Sequence, residues 1–127
     1  MITIKETSKD FSKVENYLMT IAPSMMIIKE LEDGTKIPVA GYLIFEDTKD
    51  NGDVVEILSI ITPDKKVYTC QSNTFKQSFR DIFSIMDGDP FTIIKISGKN
   101  NSGRMYINCI LDVDSIQDSV SDSNAEQ

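Results

Sequence analysis

Fourteen residues near the middle of the chain constrain its fold most. In NTFKQSFRDIFSIM (73–86), Phe75, Phe79, Ile82, Phe83 and Met86 recur at i, i+4, i+7, i+8 and i+11. That is one broad aromatic face of a 3.6-residue period, so the segment predicts an amphipathic helix. Ser72 or Asn73 supplies an N-cap, and Asp87-Gly88-Asp89-Pro90 stops the helix. The apolar stretches around it read as strands. Three precede it: 36–46 (KIPVAGYLIFE), 54–62 (VVEILSIIT) and 67–71 (VYTCQ). Two follow it: 91–98 (FTIIKISG) and 104–113 (RMYINCILDV). Pro38 keeps the first strand's start at an edge, and Gly41 suggests a bulge or sharp bend.

The order β-β-β-α-β-β is that of an OB-fold, a five-stranded Greek-key barrel closed at one end by the helix between strands three and four. The chain is therefore expected to be mainly β. On the fifth strand Met105, Ile107, Cys109, Leu111 and Val113 should point inward, with Arg104, Tyr106 and Asn108 outward. On the fourth, Thr92, Ile94 and Ile96 are expected inward, with Phe91, Ile93 and Lys95 outward. Ahead of the barrel, Phe11, Val14, Leu18 and Ile21 predict a helix over 8–22, ended by Pro23. Residues 25–31 (MMIIKEL) read as a short strand, and residues 25–38 as an apolar candidate edge for self-association. With 127 residues, 40% of them hydrophobic, one domain over 1–113 is expected. Residues 114–127 are Ser/Asp-rich, lack aromatics and predict a disordered acidic tail.

Composition narrows the chemistry. There is no histidine, so no Ser-His or Cys-His pair exists, and the commonest zinc ligand is missing. Cys70 and Cys109 lie among apolar neighbours and read as buried thiols. Asp47, Asp50 and Asp53 lack the spacing of a calcium loop. No Gly-rich phosphate loop is present. The expectation is a protein that binds and does not catalyse, with no cofactor and no metal. No apolar run reaches the ~20 residues of a membrane span. Met1–Glu6 does not read as a signal peptide. A cytoplasmic product is expected.

The formal charge of −7 argues against a nucleic-acid partner until its distribution is considered. Residues 112–127 hold five acids and no base; without them, 13 bases face 15 acids. Two stretches, 65–80 and 90–111, contain no acid at all. Single-strand binding needs a cationic path and aromatic faces on which bases stack. On an OB-fold the usual face is strands two and three with their bordering loops. That places Lys49, Lys65, Lys66, Lys99 and Arg104 as phosphate contacts, and Tyr42, Tyr68 and Tyr106 as stacking residues. Lys76 and Arg80 read as solvated helix surface, whereas Phe75, Phe79 and Phe83 read as core.

The segments GYLIFED (41–47), ILSIITPD (57–64), QSNTFKQSF (71–79) and PFTIIKISGKNNSGRMYINCIL (90–111), with the acidic end, resemble the small single-stranded DNA-binding proteins of phages infecting Gram-positive bacteria. The resemblance spans residues 7–116. It implies an OB-fold, coating of single-stranded DNA during phage replication in the host cytoplasm, and no enzymatic activity. It also implies DNA contacts at Lys95, Tyr106 and the hairpin from Ser97-Gly98 to Gly103-Arg104. Many such proteins end in an aromatic or Pro-Phe tip that docks replication partners; this chain ends Asn124-Ala125-Glu126-Gln127. The tail stands as a candidate contact for replication proteins or a competitor of DNA. In the second case, deleting 114–127 should tighten binding. The alternative function is an acidic protein-interaction module, a DNA mimic or inhibitor of a host enzyme.

Overall fold

The computed structural model describes residues 1–114. The acidic tail expected over 114–127 lies, but for Asp114, outside the described residues. The architecture is mainly β. The elements are β1 (Ile2–Thr7), α1 (Lys13–Thr20), β2 (Met26–Ile27), a 3₁₀ turn (Ile28–Glu30), β3 (Lys36–Val39), β4 (Gly41–Thr48), β5 (Val54–Ile61), β6 (Val67–Cys70), α2 (Asn73–Met86), β7 (Phe91–Lys99) and β8 (Met105–Leu111).

They form two sheets that do not close into a barrel, one ordered β1-β4-β5-β6-β2 and the other β3-β7-β8. The expected first strand, 36–46, is divided between them. β3 pairs antiparallel with β7, and β4, beginning at Gly41, pairs with β1 and β5. The bend is held by Phe11, whose Cζ lies 2.9 Å from where a Cβ on Gly41 would stand. Glycine is needed here for close approach of the ring.

The expected closed five-stranded barrel is absent for a local reason. The edge of β6 is taken by β2, in parallel pairs Met26↔Tyr68 and Ile27↔Thr69. The facing edge of β8 is capped by side chains. Asn108 Oδ1 accepts from the Cys109 N–H at 2.8 Å, and Ser72 Oγ donates to the Ile107 carbonyl at 3.4 Å. Each backbone group satisfied in this way has less to gain from a cross-seam ladder. The segment expected as a strand over 25–31 is thus a two-residue strand and a 3₁₀ turn, anchored by the fully buried Ile28.

Two cores sandwich the larger sheet. On one face Tyr42, Ile44, Leu58 and Ile60 pack with Phe75 and Phe79 of α2 and with Phe91 and Ile93 of β7. On the other, Leu43, Phe45, Ile61 and Val67 pack beneath Met19 of α1, with Phe11, Leu18 and Met25 alongside. A strand buried on both faces needs apolar residues at both parities, which is why 41–45 reads GYLIF without alternation.

α2 spans the expected residues and is capped by Ser72, whose hydroxyl accepts from the Phe75 N–H at 3.1 Å. The N-terminal helix is shorter than expected. A capping box between Ser12 and Glu15 starts it, and residues 8–12 form the connection from β1 instead of a first helical turn. Its buried side carries Leu18, Met19 and then Ala22, while Val14 and Ile21 are exposed.

The fourth strand corrects the expected facing. Phe91, Ile93 and Lys95 are buried, whereas Thr92, Ile94 and Ile96 are only half-buried. Register decides this. Ile93 pairs with Leu111 and Lys95 with Cys109, and directly paired residues share a face. Along β8, Cys109 is buried, Ile107 and Leu111 are half-buried, and Met105 is 65% exposed.

Candidate functional site

The open seam between the sheets leaves a groove of about 940 Å³. Its walls come from the α1–β2 connection (Ala22, Pro23, Met25), from Ile27 of β2 and Lys29 of the 3₁₀ turn, from the end of β6 and the residues after it (Thr69 to Ser72), and from Lys95, Ser97 and Met105–Ile107 of the β7–β8 hairpin, with Ile57 beneath. Of these fifteen residues none is acidic and two are lysines. In a chain of net charge −7 this is a pronounced local inversion.

At one rim stands Tyr106. It pairs across the hairpin with Gly98, and its phenol end lies over that glycine. A Cβ at Gly98 would meet Tyr106 Oη at 2.7 Å and Cζ at 2.8 Å. The glycine therefore sets where the ring rests, and Tyr106 stays 38% exposed. The hairpin tip is held by Asn100, whose side chain accepts from the N–H groups of Ser102 and Arg104 at 3.0 Å. Lys99 and Arg104 flank the tip, exposed and without an ion-pair partner among the described residues, as is Lys29 on the opposite wall.

Other expected contacts are placed differently. Tyr42 is buried, edge-on to Phe79 and Phe83 at 5.2 and 4.8 Å. Its hydroxyl donates to Glu6, and desolvation, then Glu6, raises its pKa to about 12. Its ring closes the core and offers no open stacking face. Lys95 lines the groove, but its ammonium is engaged, donating to the Leu31 carbonyl at 2.8 Å and Asp33 Oδ1 at 2.9 Å. Hydrogen bonds from Ser97 and then Lys95 lower the Asp33 pKa. Lys65 reaches Glu15 at 2.7 Å, and Lys66 lies 3.8 Å from Asp64. Tyr68 is half-buried against the main core. Lys49 is exposed, in the β4–β5 loop away from the groove.

The face expected to bind, the outside of β5 and β6, is sealed by α1. The Lys65–Glu15 pair helps fasten that cover, and hydrogen bonding from Lys65 pulls the Glu15 pKa down to about 2. Lys76 is not solvated surface. It is buried, with its ammonium on the carbonyl and carboxylate of Glu56 at 3.2 and 2.9 Å. Arg80 is bound to Glu6 at 2.9 Å.

Of the expected contacts, Lys99, Arg104 and Tyr106 lie together on the β7–β8 hairpin. Sequence reasoning missed Lys29, Ile27 and Met25, which come from a segment with no binding signature. Gln71, Ser72 and Met105 were missed as well, though they sit in the acid-free stretches that could have indicated them.

Cys70 and Cys109 are free and buried, and desolvation raises both thiols to about 12. Among the described residues no group of three His, Cys, Asp or Glu side chains is arranged to hold a metal ion. No helix among them is long and apolar enough to cross a membrane. Compared with protein-family models, curated proteins and solved structures, the chain matches none.

Proposed function

We propose that this protein binds single-stranded nucleic acid without sequence preference, coating single-stranded DNA during replication, and that it is not an enzyme. The observation that carries this is the acid-free groove with Tyr106 on one rim and Lys29, without an ion-pair partner among the described residues, in its wall, adjoined by the hairpin tip where Lys99 and Arg104 are likewise unpaired. Apolar and aromatic surface suits unpaired bases of any identity, and flanking cations suit their phosphates. The scaffold is proposed to be an OB-fold variant, supported by the strand order and by one bent strand serving both sheets. The N-terminal β1–α1 layer would then have moved the binding path from the outer face of β5–β6 to the seam. The resemblance to phage proteins points the same way.

The acidic mimic remains the competing function. It needs carboxylates displayed to a partner, yet eight of them, including Glu6, Glu15, Asp33 and Glu56, lie within ion-pair distance of cationic groups of the same chain. Fluorescence anisotropy with labelled oligo-dT at two salt concentrations tests the proposal. Binding at low salt that weakens at high salt is expected. No binding at low salt would refute it and favour the mimic.

A further inference from the structure

The outer face of α2 ends in an unpartnered apolar residue. Ile85 is 79% exposed, and around it are Asp81, Asp87 and Asp89, with no base between residues 81 and 94. Asp81 accepts a hydrogen bond from Gln77, and none of the three forms an ion pair among the described residues. The chain then turns at 87–90 and enters β7, which runs nine residues to the hairpin. At about 3.3 Å per residue, the strand separates its two ends by roughly 30 Å. The far end is the chemical complement of the first. Lys99 and Arg104 are unpaired there, Met105 is 65% exposed, and no acid occurs between residues 90 and 111. Asp33 sits further back along the strand and is engaged by Lys95 and Ser97.

We infer that a second copy of this chain docks head to tail, its basic hairpin end seated on the acidic, Ile85-bearing end of α2. Two different patches at opposite ends of one strand make a heterologous contact, and a heterologous contact that does not close into a ring propagates as an open chain. Charge complementarity selects the partner end, and the exposed Ile85 and Met105 supply apolar contact. Self-association is read without nucleic acid, although Lys99 and Arg104 serve both proposals: in a docked pair they face the neighbour's carboxylates, and in a lone protomer the phosphates. Only its consequence, cooperative loading along a strand, rests on that reading.

Sedimentation velocity of the full chain without nucleic acid is the first test. The average mass should rise with protein concentration and fall with added salt. Ile85→Lys/Asp89→Lys alters the acidic end, and Lys99→Glu/Arg104→Glu the basic end. Both substitution pairs are on exposed residues outside the core. Each variant alone should be monomeric, and mixing them should restore association, because each keeps the end the other has lost. A wild type that stays monomeric at low salt, or variants that fail to associate when mixed, would overturn the inference. With nucleic acid, Ile85→Lys/Asp89→Lys should bind a single-site oligo-dT like the wild type. On a long oligo-dT it should lose at least about tenfold in apparent affinity, because linked sites add avidity that isolated ones lack. Equal binding of both proteins to the long strand would count against head-to-tail loading. Failure of the wild type to bind the short strand would refute the proposed function, leaving the sedimentation results to decide the contact.

Discussion

Gly98→Ala is the sharpest probe of the groove, because it touches Tyr106 without altering it. The new methyl would stand 2.7 Å from the phenol oxygen, 2.8 Å from Cζ and 3.2 Å from Cε1. Comfortable carbon contacts begin at about 3.5 Å, so the ring must shift by at least about 0.7 Å or swing away. Gly98 does not occupy the left-handed backbone region, and alanine suits a strand no worse than glycine. Stability should therefore stay within about 0.5 kcal/mol of wild type. Binding should not. A base stacked on an aromatic ring contributes about 1–3 kcal/mol. Losing half of a mid-range contact costs about 1 kcal/mol, or roughly fivefold in Kd. Anisotropy with oligo-dT reads the loss, and thermal melting reads the fold. Tyr106→Phe should bind nearly as well as wild type, and Tyr106→Ala should lose the full stacking contribution. If Gly98→Ala binds like wild type while Tyr106→Ala is weak, glycine does not position the ring. If Tyr106→Ala also binds like wild type, the strand does not cross this rim.

Lys29→Ala, Lys99→Ala and Arg104→Ala should each weaken binding and flatten the dependence of log K on log salt by about 0.7, the increment for one phosphate on a single strand. Salt titrations measure this, and Lys49→Ala, in the β4–β5 loop and not on the β7–β8 hairpin, should leave the slope unchanged. Glu15→Gln should remove part of the acid sensitivity of folding. The folded pKa of Glu15 is lowered from an ordinary 4.5 to about 2, so its contribution is present above about pH 4.5 and fades as pH falls toward 2. Chemical denaturation across that window should show a shallower acid limb in the variant. Phe79→Ala should destabilise by about 3–5 kcal/mol, since Phe79 is fully buried against Tyr42, Phe83 and Phe91. Urea unfolding reads that loss.

How much of the fold is legible in the sequence depends on whether one parity or one face holds the apolar residues alone. α2 is legible because Phe75, Phe79, Ile82 and Phe83 crowd one side while Gln77, Arg80 and Asp81 take the other, with Lys76 at the margin beside Phe83. α1 is ambiguous because Val14, Tyr17 and Ile21 make an apolar stripe as good as the Leu18, Met19 and Ala22 side that is buried. What settles it is the second face of the large sheet, a tertiary surface that periodicity does not carry. The fourth strand fails for a related reason. FTIIKIS is apolar at both parities, and its only charge, Lys95, argues for the outward assignment. Asp33 and the Leu31 carbonyl, more than sixty residues away in sequence, receive the ammonium and make burial tolerable.

The site was legible as a charge pattern before it was legible as a place. Nine of the fifteen groove residues come from the two stretches without acid, 65–80 and 90–111. Those stretches end β6 and make the β7–β8 hairpin, and the fold sets them on opposite sides of one seam. The individual contacts were less legible, because a lysine counts only if nothing nearer claims it. Lys65, Lys76 and Lys95 have the same side chain as Lys29 and Lys99, yet each is paired with a carboxylate brought from a distant part of the chain. Those pairs hold α1, α2 and the 31–35 loop in place. Cations divided in this way, some fastening the scaffold and some left unpaired beside an apolar seam, are what the proposed binding of a polyanion by a chain of net charge −7 would require.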